Sequence, residues 1–271
     1  LTDKIASGEK ALIFTGSQKK QYKFSSQNLA TQLRENFPHK KVLVIDKVTT
    51  ATPNHPAQGL LDSETKSLGF TLQSYDIVIC TGIVETGISV ETNGHFDGVW
   101  IIAQGTQTVD SVCQALERDR SNAPRYIWAP KKTNKGLWGN GADNYKNLGE
   151  SVRQNAEVAL AQLQRTEIKL YDDCGGIFTK TYIQYAIKNN FEKKHYRQSI
   201  REKLMENGYI VNDYKSGKSQ EEIMQVRDTQ TNIKDREYDA ECEKCAQADI
   251  LNEQELARLK AQKTRTEYEL L

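Results

Sequence analysis

The sequence contains no run approaching the roughly 18 consecutive apolar residues that a membrane-spanning helix needs, and no charged, apolar and small-residue succession opens it. Neither a membrane span nor a secretory leader is therefore expected. The five cysteines, Cys80, Cys113, Cys174, Cys242 and Cys245, are odd in number and mostly sit in apolar contexts. That pattern argues against a disulfide framework and for reduced thiols in a cytoplasmic protein. His39, His55, His95 and His195 show no metal-ligand spacing, and Cys242-x-x-Cys245 has neither a second cysteine pair nor a nearby histidine. No metal site is predicted. No internal repeat is visible, and no excess of one charge sign exists overall: 37 Lys and Arg against 36 Asp and Glu leave a formal net charge of +1. The layout is uneven, however. Lys180 to Lys203 holds seven basic and two acidic side chains, whereas Glu221 to Glu269 holds eight basic and thirteen acidic. A local basic face is compatible with that distribution in a protein that is not basic as a whole.

What is present is an alternating pattern. With 37% apolar residues and a mean hydropathy of −0.68, the 271 residues suffice for a compact core accompanied by a solvated part. The chain opens at Leu1 without an initiator methionine, which reads as a piece of a longer polypeptide. Near-continuous apolar runs occur at Ala11 to Phe14, Val42 to Ile45, Ile77 to Cys80, Val99 to Ala103 and Tyr126 to Ala129, as strands buried on both faces would require. Helical patterns lie between them, at Gln27 to Asn36, around Leu60 to Leu68, and at Val109 to Arg120. The fold class implied is α/β, an open parallel sheet with flanking helices.

The stretch from Lys131 to Glu150 is rich in Gly, Asn and Lys and reads as a long loop or linker. Helices are predicted over Ser151 to Ile168, Thr179 to Asn189 and Lys193 to Asn207, followed after Gly208 by a short strand over Tyr209 to Tyr214. That succession is compatible with a winged-helix-like module. The Pro-free, charged remainder reads as a long helix or helical pair packed on something. The expected domains are therefore 1–135 (α/β), 136–150 (linker), 151–220 (helical accessory region) and 221–271 (helical tail).

Two segments can carry chemistry. The first, Cys80-Thr81-Gly82-Ile83-Val84-Glu85-Thr86-Gly87-Ile88-Ser89, leaves the carboxyl end of the third strand, where hydroxyls and bare N–H groups can meet phosphate oxygens. A tight turn needing two glycines is the bland alternative. The second follows the fourth strand, from Gln104 to Arg120. On a continuous helix, Gln114 and Arg118 share a face and Arg120 stands near the end. Arginine suits phosphate clamping through its permanent charge and planar fork, although pairing with Glu117 and Asp119 on a surface helix is the commoner outcome.

Taken together, in this order and spacing, the segments resemble motifs V and VI of superfamily 2 helicases. Thr81 precedes Gly87-Ile88-Ser89 by six residues, and Gln114 precedes Arg118 by four. Ala11-Leu-Ile-Phe-Thr-Gly-Ser17 is similar to motif IV of the same family. Ser89 stands where an Asp is usual, Glu117 where a Gly commonly precedes the first arginine, and Arg120 follows two residues later rather than three. Gln-x-x-x-Arg-x-Arg with Gly-Ile-Ser looks most like the replication-origin helicases of herpesviruses and the cyanobacterial plasmid replication proteins. Asn190-Phe191, Tyr196-Arg197 and Leu204-x-x-x-Gly208-Tyr209 also look like the region that follows the helicase core in the cyanobacterial group.

The resemblance implies the C-terminal RecA-like lobe of an ATP-dependent DNA helicase or translocase acting in plasmid replication. Arg118 and Arg120 would then act as arginine fingers on the γ-phosphate of ATP held by a first lobe, with Gln114 orienting water or nucleotide. Glu85, Gly87 and Ser89 would couple the nucleotide site to the strand. Thr15, Gly16, Ser17, Thr81, Gly82 and Thr86 would contact the nucleic-acid backbone.

This chain carries no G-x-x-x-x-G-K-[ST] loop of its own. Gly217-Lys218-Ser219 has Asn212 where the loop's first Gly belongs and reads as a turn. There is also no Asp-Glu pair at a strand end to hold Mg²⁺. The expectation is that ATP and Mg²⁺ belong to the complete protein and that this chain alone holds neither. Expected partners are single-stranded DNA, the N-terminal lobe and other replication proteins, with no membrane. Lys193, Lys194 and Arg197, in a basic stretch interleaved with Phe191 and Tyr196, could track phosphates or form a solvated helix face. Trp128, Trp138 and Tyr145 could stack on bases, although Trp128, in a strand, is better explained as core. Two rival readings are a non-catalytic α/β scaffold with a DNA- or partner-binding helical tail, and another nucleotide-binding α/β enzyme using Thr81 to Ser89 as a cofactor loop.

Overall fold

The computed structural model describes residues 1–60, 66–82, 90, 92, 94–164, 176–214, 217–248 and 251–261. The chain divides into two compact units. The first consists of Leu1–Gln104, Ser111–Trp128 and Asn212–Leu271, and the second of Gly105–Asp110 and Ala129–Val211. The expected linker 136–150 thus lies inside the second unit, and the tail belongs to the first.

Five strands build the first unit: β1 (Ala11–Thr15), β2 (Val42–Ile45), β3 (Ile77–Cys80), β4 (Gly98–Ile102) and β5 (Arg125–Trp128). They form one all-parallel sheet in the order β2-β3-β1-β4-β5, which is the α/β architecture expected. Every residue of β1 and β3 is buried, as the inner strands of a parallel sheet covered on both faces must be. Ala11, Ile13, Val44, Ile77 and Ile79 share one face and pack with Leu29, Ala30 and Leu33 of helix α2 (Ser26–Asn36), together with Ile5 of the short α1 (Thr2–Ala6).

Helix α2 starts one residue before the expected Gln27, capped by Ser25, whose side chain accepts from the Asn28 N–H. Its first turn is tied to the end of β2 by Asp46, which is fully buried. One Asp46 oxygen accepts from the Val48 and Thr49 N–H groups at the start of α3 (Lys47–Ala51), and the other from Ser26 Oγ at 2.6 Å and Gln27 Nε2 at 2.7 Å. Four donors on one buried carboxylate tie the first turns of α2 and α3 to the end of β2. Helix α4 (Lys66–Gln73) takes in the described end of the pattern expected around Leu60 to Leu68; residues 61–65 lie outside the described ones. Helix α9 (Gln220–Gln247) returns to α2: Gln230 Nε2 donates to Gln32 Oε1, both side chains buried, and Arg236 pairs with Glu35 at 2.6 Å. Helix α10 (Glu253–Ala261) follows, with no buried residue.

The second unit is helical: α6 (Tyr145–Gln164), α7 (Ile177–Lys194) and α8 (Tyr196–Glu206). Helix α6 begins six residues before the expected Ser151 because the Asn144 side chain caps it, accepting from the Asn147 N–H at 2.9 Å. Leu148, Ile183 and Ala186 form its small core with Trp138 and Val152. The strand expected over Tyr209 to Tyr214 is absent. Gly208 closes α8 at φ +88°, with the Gly208 and Tyr209 N–H groups donating to the Met205 and Leu204 carbonyls, and residues 209–214 follow without regular secondary structure. A winged-helix module lacks its wing here.

Replacing Asp46 by Ala leaves four donors without their acceptor, two of them side chains near the sheet. A loss of about 3 kcal/mol in unfolding free energy is expected from denaturant titration, whereas an exposed carboxylate such as Glu253 changed to Ala should cost under about 0.5 kcal/mol.

Candidate functional site

Right-handed crossovers fix where a cleft can form. The chain moves from β1 through α2 to β2 in one direction, and from β4 through α5 (Val109–Leu116) to β5 in the other. Helices following β1 and β4 therefore lie on opposite faces, and the carboxyl ends of these two strands define the switch point at which open α/β sheets bind ligands. Thr15 ends β1 there, fully buried, and Gln104 follows β4. Gln104 Nε2 donates to Thr15 Oγ1 at 2.9 Å and to the Phe24 carbonyl at 2.8 Å, and Thr15 Oγ1 donates to the same carbonyl at 2.5 Å. Thr15 is thus a loop anchor and not a free hydroxyl facing a ligand, which corrects its expected role. Gly16 and Ser17 are partly exposed beside it, with Ser17 Oγ accepting from the Lys19 N–H.

The Thr/Gly-rich segment leaves β3 at the same edge. Thr81 is buried, its N–H donating to the Ile45 carbonyl at 3.1 Å, and Gly82 is exposed. Glu85, Thr86, Gly87 and Ser89 lie outside the described residues. Val90, the residue after the segment, is described, and it meets the arginine stretch. Val90 N–H donates to the Arg118 carbonyl at 2.9 Å, and Val90 pairs with Asp119 as a parallel bridge.

Helix α5 stops at Leu116, so Gln114 and Arg118 do not share the face of one continuous helix. The cause is Arg125 in β5. Its guanidinium donates to the Leu116, Asp119, Ser121 and Ala123 carbonyls at 2.8–3.2 Å, holding the segment after the helix in a bend. Asp119, buried, accepts from Ser121 Oγ at 2.5 Å and from the Ser121 N–H. Along this bend Arg118 is half-buried, Asp119 buried and Arg120 exposed, while Gln114 is exposed on α5. The two expected arginines are therefore presented by this bend, which is joined to Val90 through the Arg118 carbonyl and Asp119. Arg125 was missed because its partners are carbonyls, which leave no trace in side-chain spacing.

The basic stretch of α7 and α8 is used internally. Lys193 is 1% exposed, its ammonium donating to the Gly105 carbonyl at 2.8 Å and to that of Gln107, 5.0 Å from the Tyr196 ring centre. Tyr196 Oη adds a third bond, to the Gln107 carbonyl. Lys194 pairs with Asp143 at 2.8 Å, and Arg197 Nε donates to the Ala129 carbonyl at 2.8 Å. Lys193 cannot track phosphates, and Arg197 is partly committed to backbone. Neighbouring amides act in the same way: Asn190 bonds the Trp138 N–H and the Trp138 and Ala142 carbonyls, and Asn189 bonds the Gly136 carbonyl. The glycine-rich stretch is ordered by α7. Gly105, at φ +83°, could carry no side chain there, since a Cβ would come within 2.5 Å of Thr133 Oγ1.

The remaining candidates are structural. Gly217 turns at φ +64°, Lys218 pairs with Asp3, and Ser219 caps α9 in a reciprocal box with Glu222. Among the described residues no group of three or more His, Cys, Asp or Glu could hold a metal, and Cys242 and Cys245 are exposed on α9. No helix among the described residues is long and apolar enough to cross a membrane.

No protein-family model matches the chain. A curated protein of Picosynechococcus sp. (strain ATCC 27264 / PCC 7002 / PR-6), named only as uncharacterized, is 35% identical over 272 residues, covering 99% of this chain and 27% of that protein. The similarity runs through both units, and this chain spans about a quarter of the relative's length.

Burial pulls the Lys193 ammonium down to about 8, with Glu192 opposing. A folded value below the ordinary lysine value means that between about pH 8 and 10.5 the unfolded chain binds the extra proton, so stability from this group rises with pH across that window. Lys193→Met should cost about 2 kcal/mol at pH 7 by taking the ammonium donor from the Gly105 carbonyl and leaving that of Gln107 to Tyr196 Oη alone, and the gap between the two proteins should widen from pH 8 to 10 in denaturant titrations.

Proposed function

We propose that the chain is the second lobe of an ATP-dependent DNA helicase or translocase acting in DNA replication, of the plasmid-replication kind, and that it supplies arginine fingers and strand contacts to a nucleotide held by another lobe. The observation that carries this reading is the bridge between Val90 and the arginine segment. Val90, the residue that follows the loop similar to motif V, donates its N–H to the Arg118 carbonyl in the stretch similar to motif VI, and Thr81, near the start of that loop, follows the carboxyl end of β3. A change in one would be felt by the other, as coupling between strand and nucleotide requires.

The described residues support a share in that chemistry and no more. In this reading ATP and Mg²⁺ are held by a lobe outside this chain. What the chain offers is Arg120, exposed, and Arg118, half-buried beside it, to stabilise charge developing on a transferred phosphoryl group. Arg125 is a positioning residue for both. Gln114, exposed on the preceding helix, is available to water or nucleotide.

In the full-length gene product, single-stranded DNA should stimulate ATP hydrolysis, and Arg118→Ala or Arg120→Ala should lower that rate by about 10³-fold while circular dichroism and DNA affinity stay unchanged. An undiminished rate in both variants sinks the reading.

A further inference from the structure

Trp128 ends the edge strand β5 and is 50% exposed, so the expectation that it belongs to the core does not hold. Large aromatics at such exposure leave apolar area in water unless something covers it. Its one described ring neighbour is Phe24, at a centroid distance of 5.6 Å and tilted by 52°. The parallel register aligns Thr15, Ile102 and Trp128 in one row, on the face of the sheet that α2 covers. The aromatic pair therefore sits at the carboxyl edge of that face, beside the switch point.

The loop that delivers Phe24 is built to be rigid. Its carbonyl is gripped by Thr15 and Gln104, and the buried Asn28 amide donates to the Lys20 and Tyr22 carbonyls at 2.7 and 2.9 Å. Three backbone carbonyls in five residues are thus held from the sheet and from α2. On this fixed loop stand three cations in the run Lys19-Lys20-Gln21-Tyr22-Lys23. Lys19 and Lys23 are exposed, Lys23 reaching Thr231 of α9, while Lys20 is matched by Glu237 at 3.5 Å. Lys47, exposed after β2, joins this group through its N–H bond to Gln18 Oε1.

A preorganised aromatic face with lysines on the same loop is what a sequence-tolerant single-strand contact requires: π surface for bases and point charges for phosphates. We propose that Phe24 and Trp128 form a base-stacking platform for single-stranded nucleic acid, with Lys19 and Lys23 neutralising its backbone. This deepens the functional reading above and rests on it for the class of ligand. It gives Thr15 and Gln104 a task the motif resemblance did not suggest, holding the platform in place of touching the strand.

The test is fluorescence anisotropy of labelled oligothymidylate and oligouridylate with this chain, across a salt series. Trp128→Ala should weaken binding about tenfold and Trp128→Phe should restore most of it, since stacking tolerates any aromatic face. Lys19→Gln with Lys23→Gln should reduce the slope of log affinity against log salt by about 1.4, two phosphates' worth for a single strand. Photo-crosslinking an oligonucleotide bearing 5-iodouracil should label Trp128 or Phe24. Equal loss with both oligonucleotides supports the platform; loss with one supports it with a preference for that sugar. Unchanged affinity in Trp128→Ala, crosslinks confined to other residues, or no oligonucleotide binding by the unaltered chain overturns it. The helicase reading is judged separately, by the ATPase rates of the Arg118 and Arg120 variants, which this platform does not touch.

Discussion

The hydroxyl of Thr15 is the polar group that the central strand must accommodate. It closes a strand whose other members are Ala, Leu, Ile and Phe, all buried, at the one point where the sheet's connections diverge. A buried hydroxyl without partners would cost on the order of 1–3 kcal/mol, and here it is satisfied by Gln104 from the neighbouring strand's exit and by the Phe24 carbonyl. That single requirement fixes the paths of both loops leaving the switch point. The loop after β1 is pulled over the sheet edge towards Trp128, and the loop after β4 starts its descent to α5 from a set position.

Much of the first unit was legible because of this burial. Strands covered on both faces read as uninterrupted apolar runs, and all five fall within one residue of their expected bounds. The glycine after α8 also announced its helix end. What the sequence hid was non-local. The periodicity of Val109 to Arg120 continues past Leu116, yet the helix stops because Arg125, nine residues further on, takes the Leu116 carbonyl. The glycine-rich stretch resembles a linker until Asn189 and Asn190, some fifty residues away, supply its missing donors and acceptors. The lysines of α7 carry the composition of a phosphate-binding face, and composition cannot distinguish a solvated ammonium from one buried against carbonyls.

The candidate site shows the same division. Its membership, Thr81 with Gly82, Gln114, Arg118 and Arg120, came from spacing along the chain; its arrangement came from backbone pairing. Val90 and Asp119 are joined as strands are, through main-chain atoms, so side-chain identity at either position carries little of the signal. Arg125 belongs to the same class. A guanidinium that binds four carbonyls shapes a loop without marking any partner in the sequence.

The interleaving of the two units bears on synthesis. The sheet is complete once Trp128 has been made, but α9, which seals α2 through Gln230 and Arg236, is translated only after the whole helical unit. On the ribosome the outer surface of α2 waits, uncovered, while roughly a hundred further residues emerge, at about 5–20 residues per second. Beside the buried Ile233, the polar part of that seal, an amide pair and ion pairs with Lys20 and Glu35, suits a surface that must spend several seconds in water before its cover arrives.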